Sequence, residues 1–351
     1  MPQLPSKDLD HVLAHTGGLW DAMRGRSLFI TGGTGFVGRW LVESLCWANE
    51  QLGAKVSAVL LTRDPEAFRA EAPHITGNPW IRLHRGDVCS FEYPDGTFDF
   101  VIHAATARSF KPDARRPLST FDEDVEGTRR VLDLARQRGT DRFLFTSSGA
   151  VYGKQPPDLS HIPEEYAGAP LSTDVASAYG QAKRVSEFMC AMHAQQYGFS
   201  TAIARLFAFV GPRLPLDENF AVGNFIRDVL SGGPIRIAGD GTPYRSYLYA
   251  ADLAIWLWTV LLKGQSARPY NVGSGAAVNI LDLARTVVDA TAPGTKIECA
   301  RTPVAGQPAA RYVPSPRRAE TELGLRSLIP LHEGVRRSYF WSQPLLVSRT
   351  P

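Results

Sequence analysis

A chain of 351 residues, 44% apolar and 21% charged, is long enough for one large core or for a main domain with a smaller one grown onto it, and its composition argues against disorder. A formal charge of +3 is too small for a phosphate-neutralising surface, so no nucleic-acid partner is expected, while small anionic ligands stay open. Cys46, Cys89, Cys190 and Cys299 lie far apart without a CxxC pair, which points to reduced thiols and to neither a metal site nor a disulfide framework. The first twenty residues hold acidic groups and no apolar core of signal-peptide length, and no later stretch has the span of a bilayer. The expectation is a cytoplasmic chain with no membrane partner.

Residues 1–24 read as an amphipathic helical appendage, with Leu9, Val12 and Leu13 at helical spacing before Gly17-Gly18, and as a packing arm without chemistry. From Ser27 the pattern becomes an apolar run, Leu28-Phe29-Ile30, then a glycine-rich turn, then a helix-like stretch from Phe36 to Ala48. Further apolar runs at Val56 to Leu61, Ile81 to Leu83, Phe98 to Ile102 and Phe143 to Phe145 are separated by helix-length segments. Continuous apolar strands interleaved with helices predict an α/β fold, a doubly wound parallel sheet covered on both faces, over residues 25–205. Beyond Arg205, Gly and Pro break the alternation, so a smaller lobe is expected over 206–341 and an irregular tail over 342–351.

Thr31 to Gly38 reads TGGTGFVG, a G-x-x-G-x-x-G spacing of Gly32, Gly35 and Gly38 between a strand and a helix. The early glycines allow a tight turn and backbone approach to a pyrophosphate, Gly38 allows close helix packing, and the helix start, Phe36 and Val37, favours negative charge. A purely structural turn satisfies the same glycines, but inside a strand-turn-helix unit cofactor binding is the stronger reading. Asp87 and Val88 follow the third strand, where a carboxylate can meet an adenine amino group or merely close a surface turn. Ala104 and Ala105 end the fourth strand in side chains small enough for a ring to lie against them, and His103 receives no catalytic role. No acidic residue ends the second strand, and Arg63 there can fork onto a 2′-phosphate, which favours NADP with NAD as the alternative; a solvated surface arginine is the plainer reading of Arg63.

Ser148 ends the fifth strand, and Tyr179 and Lys183 stand four residues apart in a segment suited to a helix, on one face. A phenol titrates near pH 10 in water, and a neighbouring ammonium stabilises its phenolate, so this pairing moves the phenol toward useful proton transfer. Ser148 would hold the same substrate oxygen while a nicotinamide faces the carbon.

The chain resembles the extended short-chain dehydrogenase/reductases, particularly the NAD-dependent epimerase/dehydratase group acting on nucleotide sugars. The resemblance rests on TGGTGFVG, DFVIHAA, FLFTSSGAVYG, SAYGQAK, GDGTPYRSYLYAADLA and YNVGSG in the family's order, from about Ser27 to Trp341. It implies a Rossmann domain with a smaller C-terminal α/β substrate lobe, commonly a homodimer through a helix pair that includes the YxxxK helix, and a nucleotide-sugar substrate. It also implies Ser148, Tyr179 and Lys183 as catalytic residues, Tyr179 and Lys183 touching the cofactor as well, and Thr106, Ser147, Ser148 and Arg245 on the substrate side. Arg245 matches an arginine that grips a diphosphate, with an ordinary ion pair as the plainer reading.

Departures narrow the reaction. Gly149 and Ala150 stand where the family's 4,6-dehydratases carry an Asp-Glu pair and its decarboxylases a Glu, so both reactions are disfavoured. Epimerisation through a 4-keto sugar, or reduction of a keto sugar, is what remains, with reduction of an unrelated carbonyl and a cofactor sensor without turnover as alternatives. Asp124 replaces a common Asn before Val-x-Gly-Thr, Ala208 an Asn before the Gly211-Pro212 turn, and Ser246 an Asp after the arginine.

Overall fold

The computed structural model describes residues 2–106, 117–218 and 220–347. The chain divides into two compact units, one of Met1–Gly153, Gly168–Leu206 and Ala254–Tyr270, the other of Lys154–Ala167, Phe207–Leu253 and Asn271–Pro351.

The main sheet has seven strands: β1 (Ser27–Thr31), β2 (Ser57–Thr62), β3 (Ile81–Arg85), β4 (Phe100–His103), β5 (Arg142–Ser148), β6 (Ser200–Leu206) and β7 (Pro269–Val272). They lie in the order β7-β6-β5-β4-β1-β2-β3, and the pairs from β6 through to β3 run parallel. This is a doubly wound Rossmann-type sheet. Leu28, Phe29 and Ile30 of β1 and Val101 and Ile102 of β4 are wholly buried, as strands covered on both faces must be. The strand order reverses at β1, whose neighbours are β2 and β4, so a crevice opens beyond the carboxyl ends of β1 and β4, the place where such sheets take ligands. Thr31 and His103 are register partners at that point.

Helix α1 (Ser6–Met23) is fastened to its unit rather than left as a loose arm. Its Trp20 meets Trp258 edge to face at 5.0 Å, Trp258 Nε1 donates to Ser44 Oγ at 2.9 Å, and the Leu4 amide donates to Glu43 at 2.7 Å. Ser44 and Glu43 belong to α2 (Phe36–Leu52). Helices α3 (Pro117–Gln137) and α4 (Ala178–Tyr197) pack along one another, and Val131, Ala182 and Met189 close a core with Phe29, Val101, Phe143 and Phe145. Trp258 comes from α5 (Ala250–Lys263).

The second unit is built of short strands. Ile235–Ile237 pairs with Ile297–Cys299, Phe209–Val210 with Leu248–Tyr249, and Tyr244–Arg245 lies between Val278–Asn279 and Arg311–Tyr312. Its last helix, α6 (Leu331–Val347), runs into the segment expected as an irregular tail. Gly334, Ser338 and Ser342 explain the difference: they repeat every four residues, Ser338 and Ser342 are buried, and a Cβ on Gly334 would stand 2.8 Å from the Tyr249 ring. Small residues make that close-packed face, so no apolar period betrays it. Residues 348–351 lie outside the described residues. Among the described residues no helix is long and apolar enough to cross a membrane.

Trp20 is 1% exposed, so Trp20→Ala leaves a cavity between α1 and α5. The expected loss is about 3–5 kcal/mol, read by denaturant titration, with a loss below about 1 kcal/mol showing that α1 is only appended.

Candidate active site

The glycine turn fills the switch point. Gly32 has φ +72°, and a Cβ there would fall 2.4 Å from the carbonyl carbon of Ala104, so no other residue fits. A Cβ on Gly38 would fall 2.1 Å from the Gly32 oxygen, which presses α2 against the turn. Gly35 differs: it is exposed, and a Cβ would meet only the Gly32 oxygen, at 3.4 Å. Gly35 caps α2 with no side-chain hydrogen bond, so the first helical N–H groups, at Phe36, Val37 and Gly38, have no side-chain acceptor at the cap. A helix start of this kind suits a pyrophosphate, and the residues present fit a dinucleotide.

The neighbouring segments keep this cradle in place. The Ala104 amide donates to the Thr31 carbonyl at 3.1 Å and the Ala105 amide to Thr31 Oγ1 at 3.2 Å. Asp87 is exposed after β3, where its carboxylate accepts from the Cys89 amide at 2.9 Å, and Val88 packs over Gly127 of α3. Arg63 is exposed one residue past β2, beside Asp64, which caps the Pro65–Glu71 helix by accepting from the Ala67 amide at 3.0 Å.

On the other side of β4, Ser148 ends β5 and caps the 3-10 turn Gly149–Tyr152, its Oγ accepting from the Ala150 amide at 3.1 Å. Tyr179, half-buried, sits in the first turn of α4. Gly180 brings the two segments together, since a Cβ there would lie 2.8 Å from the Ala150 oxygen. One turn further on, Lys183 is 1% exposed, with Nζ 5.6 Å from the Tyr179 ring centre and 5.0 Å from that of Phe145. Nζ donates to the Thr146 carbonyl at 3.3 Å and stands 3.6 Å from Asp124 Oδ1 of α3.

Thr106 Oγ1 donates to that same Asp124 oxygen at 2.9 Å. Ser147 is 2% exposed and donates to Glu187 Oε1 at 2.5 Å; Arg205 grips the same carboxylate, Nε donating to Oε1 at 2.9 Å and Nη2 to Oε2 at 2.7 Å. Burial works to lower the Arg205 value, but the hydrogen bonds and charge of Glu187 outweigh it and the net direction is upward. Arg205 also covers the Tyr152 ring, 4.7 Å from its centre. Arg245 belongs to the second unit, half-buried, its Nη1 donating to the Tyr244 carbonyl at 2.8 Å and its guanidinium 5.9 Å from the Tyr312 ring centre. Asp124, Glu187 and Arg205 carry charge beside these residues without having been singled out as site residues; only the Asp124 substitution was visible in the sequence.

His103 is buried between Thr31 Oγ1 at 2.7 Å from Nδ1 and Thr128 Oγ1 at 3.1 Å from Nε2. Thr128 already donates to the Asp124 carbonyl at 2.7 Å, so it accepts from the ring, which assigns the proton to Nε2. Burial first, then the charge of Lys183, pulls the ring down to about 3, so it is neutral. The unfolded chain takes up a proton here near pH 6.5. Between that value and about 3 the unfolded state binds more protons, so this residue's contribution to stability is present above pH 6.5 and is lost as pH falls, by up to about 1.4 kcal/mol per unit. His103→Asn removes this slope: the stability gap between the two proteins should narrow from pH 7 to pH 5 in denaturant titrations, and a constant gap contradicts the assignment.

Residues 28–273 match the model of the NAD dependent epimerase/dehydratase family. The chain is 31% identical over 309 residues to UDP-glucuronic acid decarboxylase 3 of Arabidopsis thaliana, covering 88% of this chain and 86% of the relative. UDP-glucuronic acid decarboxylase 1 of Xenopus tropicalis is 28% identical over 313 residues, covering 89% and 71%. Among solved structures, UDP-glucuronic acid 4-epimerase from Bacillus cereus, in complex with UDP-glucuronic acid and NAD, superposes with TM-score 0.76 at 22% identity, covering 91% of this chain and 99% of the other. A dTDP-glucose 4,6-dehydratase from Streptomyces venezuelae with NAD bound gives 0.75 at 22%, covering 91% and 97%.

The relatives overturn one expectation. Decarboxylation was disfavoured because Ala150 has no carboxyl, yet the curated relatives that match along most of the chain are named as decarboxylases, so that reaction is supported. The physical reason is general to that reaction, because a uronic acid oxidised at C4 is a β-keto acid, whose own ketone takes up the electrons that CO2 leaves behind. The preference for NADP likewise finds no support, the dinucleotide in these similar structures being NAD. With the family's model covering most of its length and relatives 31% identical along 88% of it, the chain belongs to the NAD-dependent epimerase/dehydratase family.

Proposed function

We propose that this protein oxidises the C4 hydroxyl of UDP-glucuronic acid, releases CO2 from the resulting 4-keto acid with uptake of a proton at C5, and returns the hydride to C4, leaving a UDP-pentose. The relatives named for that reaction support the substrate. The observation that carries the chemistry is the buried Lys183 ammonium beneath the Tyr179 ring, on a helix jammed by Gly180 against the turn that Ser148 caps. Tyr179, as the phenolate that the Lys183 ammonium stabilises, takes the hydroxyl proton and becomes the phenol, and Ser148 holds the sugar oxygen. Bound NAD supplies the hydride acceptor. Gly32, Gly35, Phe36, Val37 and Gly38 would hold its pyrophosphate, Asp87 and Val88 its adenine side, and Ala104, Ala105, Tyr179 and Lys183 its other end. Arg63 would lie by the adenosine ribose. Thr106, Ser147 and Arg245 are assigned to the substrate side.

A second reading shares the first step. Return of hydride to the opposite face without loss of CO2 gives the C4 epimer, and the absence of an acidic side chain at Gly149 and Ala150 is the observation behind it.

We further propose a homodimer through α4, which exposes Val185 at 38%, Phe188 at 65% and Met192 at 41%, residues that share one face. Light scattering should give twice the chain mass for the natural protein and the chain mass for Phe188→Asp; a monomeric natural protein contradicts this.

Incubation with UDP-glucuronic acid and NAD, followed by mass spectrometry, should show a UDP-pentose. An unchanged mass with altered stereochemistry selects the second reading, and no consumption of the sugar overturns both. Tyr179→Phe should lower turnover by about 10²–10⁴-fold with an unchanged melting curve, whereas unchanged turnover removes the phenol from the reaction.

A further inference from the structure

A buried ammonium needs a fixed set of partners, because leaving water costs several kcal/mol for each ion. Lys183 finds one of them on a different helix. Asp124 of α3 is 3% exposed, and its Oδ1 stands 3.6 Å from Nζ while accepting from Thr106 Oγ1 at 2.9 Å. The backbone fixes this aspartate, since its carbonyl accepts from Thr128 Oγ1 at 2.7 Å. A neutral amide of the same shape would fill the same space without the charge.

We infer that Asp124 is a positioning residue that balances the charge of Lys183 and thereby raises the pH at which Tyr179 gives up its proton. Among the described residues the charge inventory around Nζ is short. From α3 comes the Asp124 carboxylate. From β4 comes His103, neutral where it is buried. From α4 come Tyr179 itself, the Cys190 thiol, which burial pushes up so that it stays protonated, and Glu187, already bound by Arg205. From β5 there is only the Thr146 carbonyl and the Phe145 ring. Among the described residues Asp124 is thus the group whose charge opposes the ammonium directly, 3.6 Å away, and the phenolate of Tyr179 feels the pair rather than a lone cation. Thr106 moderates the effect by drawing on the same oxygen.

This rests on Tyr179 and Lys183 acting as proposed above, but not on the identity of the sugar. The test therefore uses the protein without substrate. Tyrosinate absorbance is followed against pH for the natural chain and for Asp124→Asn, each with its Tyr179→Phe counterpart subtracted so that only this phenol remains. The midpoint of the Tyr179 step should move to lower pH by about one unit in Asp124→Asn, where a purely structural carboxylate would leave it in place. An unmoved or higher midpoint overturns the inference. Absence of any step assignable to Tyr179 instead defeats the proton-transfer reading itself. If melting curves show that Asp124→Asn does not fold, Thr106→Val carries the test on a half-buried position: it frees Oδ1 toward Nζ, and the midpoint should rise. A midpoint unmoved there overturns the inference equally.

Discussion

Lys183 is a cation out of reach of water, and the arrangement of the first unit follows from keeping it there. Its partners come from three separate elements: the Thr146 carbonyl of β5, the Asp124 carboxylate of α3 and the Tyr179 ring of its own α4. They converge only if α3 and α4 pack closely and α4 begins hard against the turn after β5, which small residues permit at Ala182 in the core and Gly180 at the turn. Core packing and site geometry are therefore one problem in this fold.

The same convergence explains what could be read along the chain. Strands buried on both faces announce themselves as unbroken apolar runs, so β1, β2, β4 and β5 were legible, while β3, at the sheet edge with only Ile81 buried, showed through Ile81 and Leu83 alone. β6 and β7 were not, because their buried residues include Thr201, Ala202, Ala204 and Asn271, which carry little apolar signal. The glycine turn was legible for a steric reason, Gly32 and Gly38 leaving no room for a side chain. Ser148, Tyr179 and Lys183 stand at spacings that a strand end and a helix face dictate. The partners that give those residues their environment were hidden, since nothing in the sequence pairs Asp124 with Lys183 or Ser147 with Glu187. His103, given no role from its sequence, is a neutral bridge between Thr31 and Thr128.

One reading was overturned and another found no support, for reasons that are chemical rather than structural. The missing carboxyl at position 150 was weighed as though every decarboxylation needed a protein acid, whereas a β-keto acid carries its own electron sink. An arginine after β2 has the right fork for a phosphate, but an exposed guanidinium with freedom to turn away does not by itself select one cofactor over another.

The central claim is that the reaction begins at C4 of the sugar and that the hydrogen removed there returns to the same molecule. UDP-glucuronic acid carrying deuterium at C4 tests it most directly. Mass spectrometry should find the deuterium retained in the product when turnover proceeds in ordinary water; product formed with that label exchanged for solvent hydrogen would contradict the account.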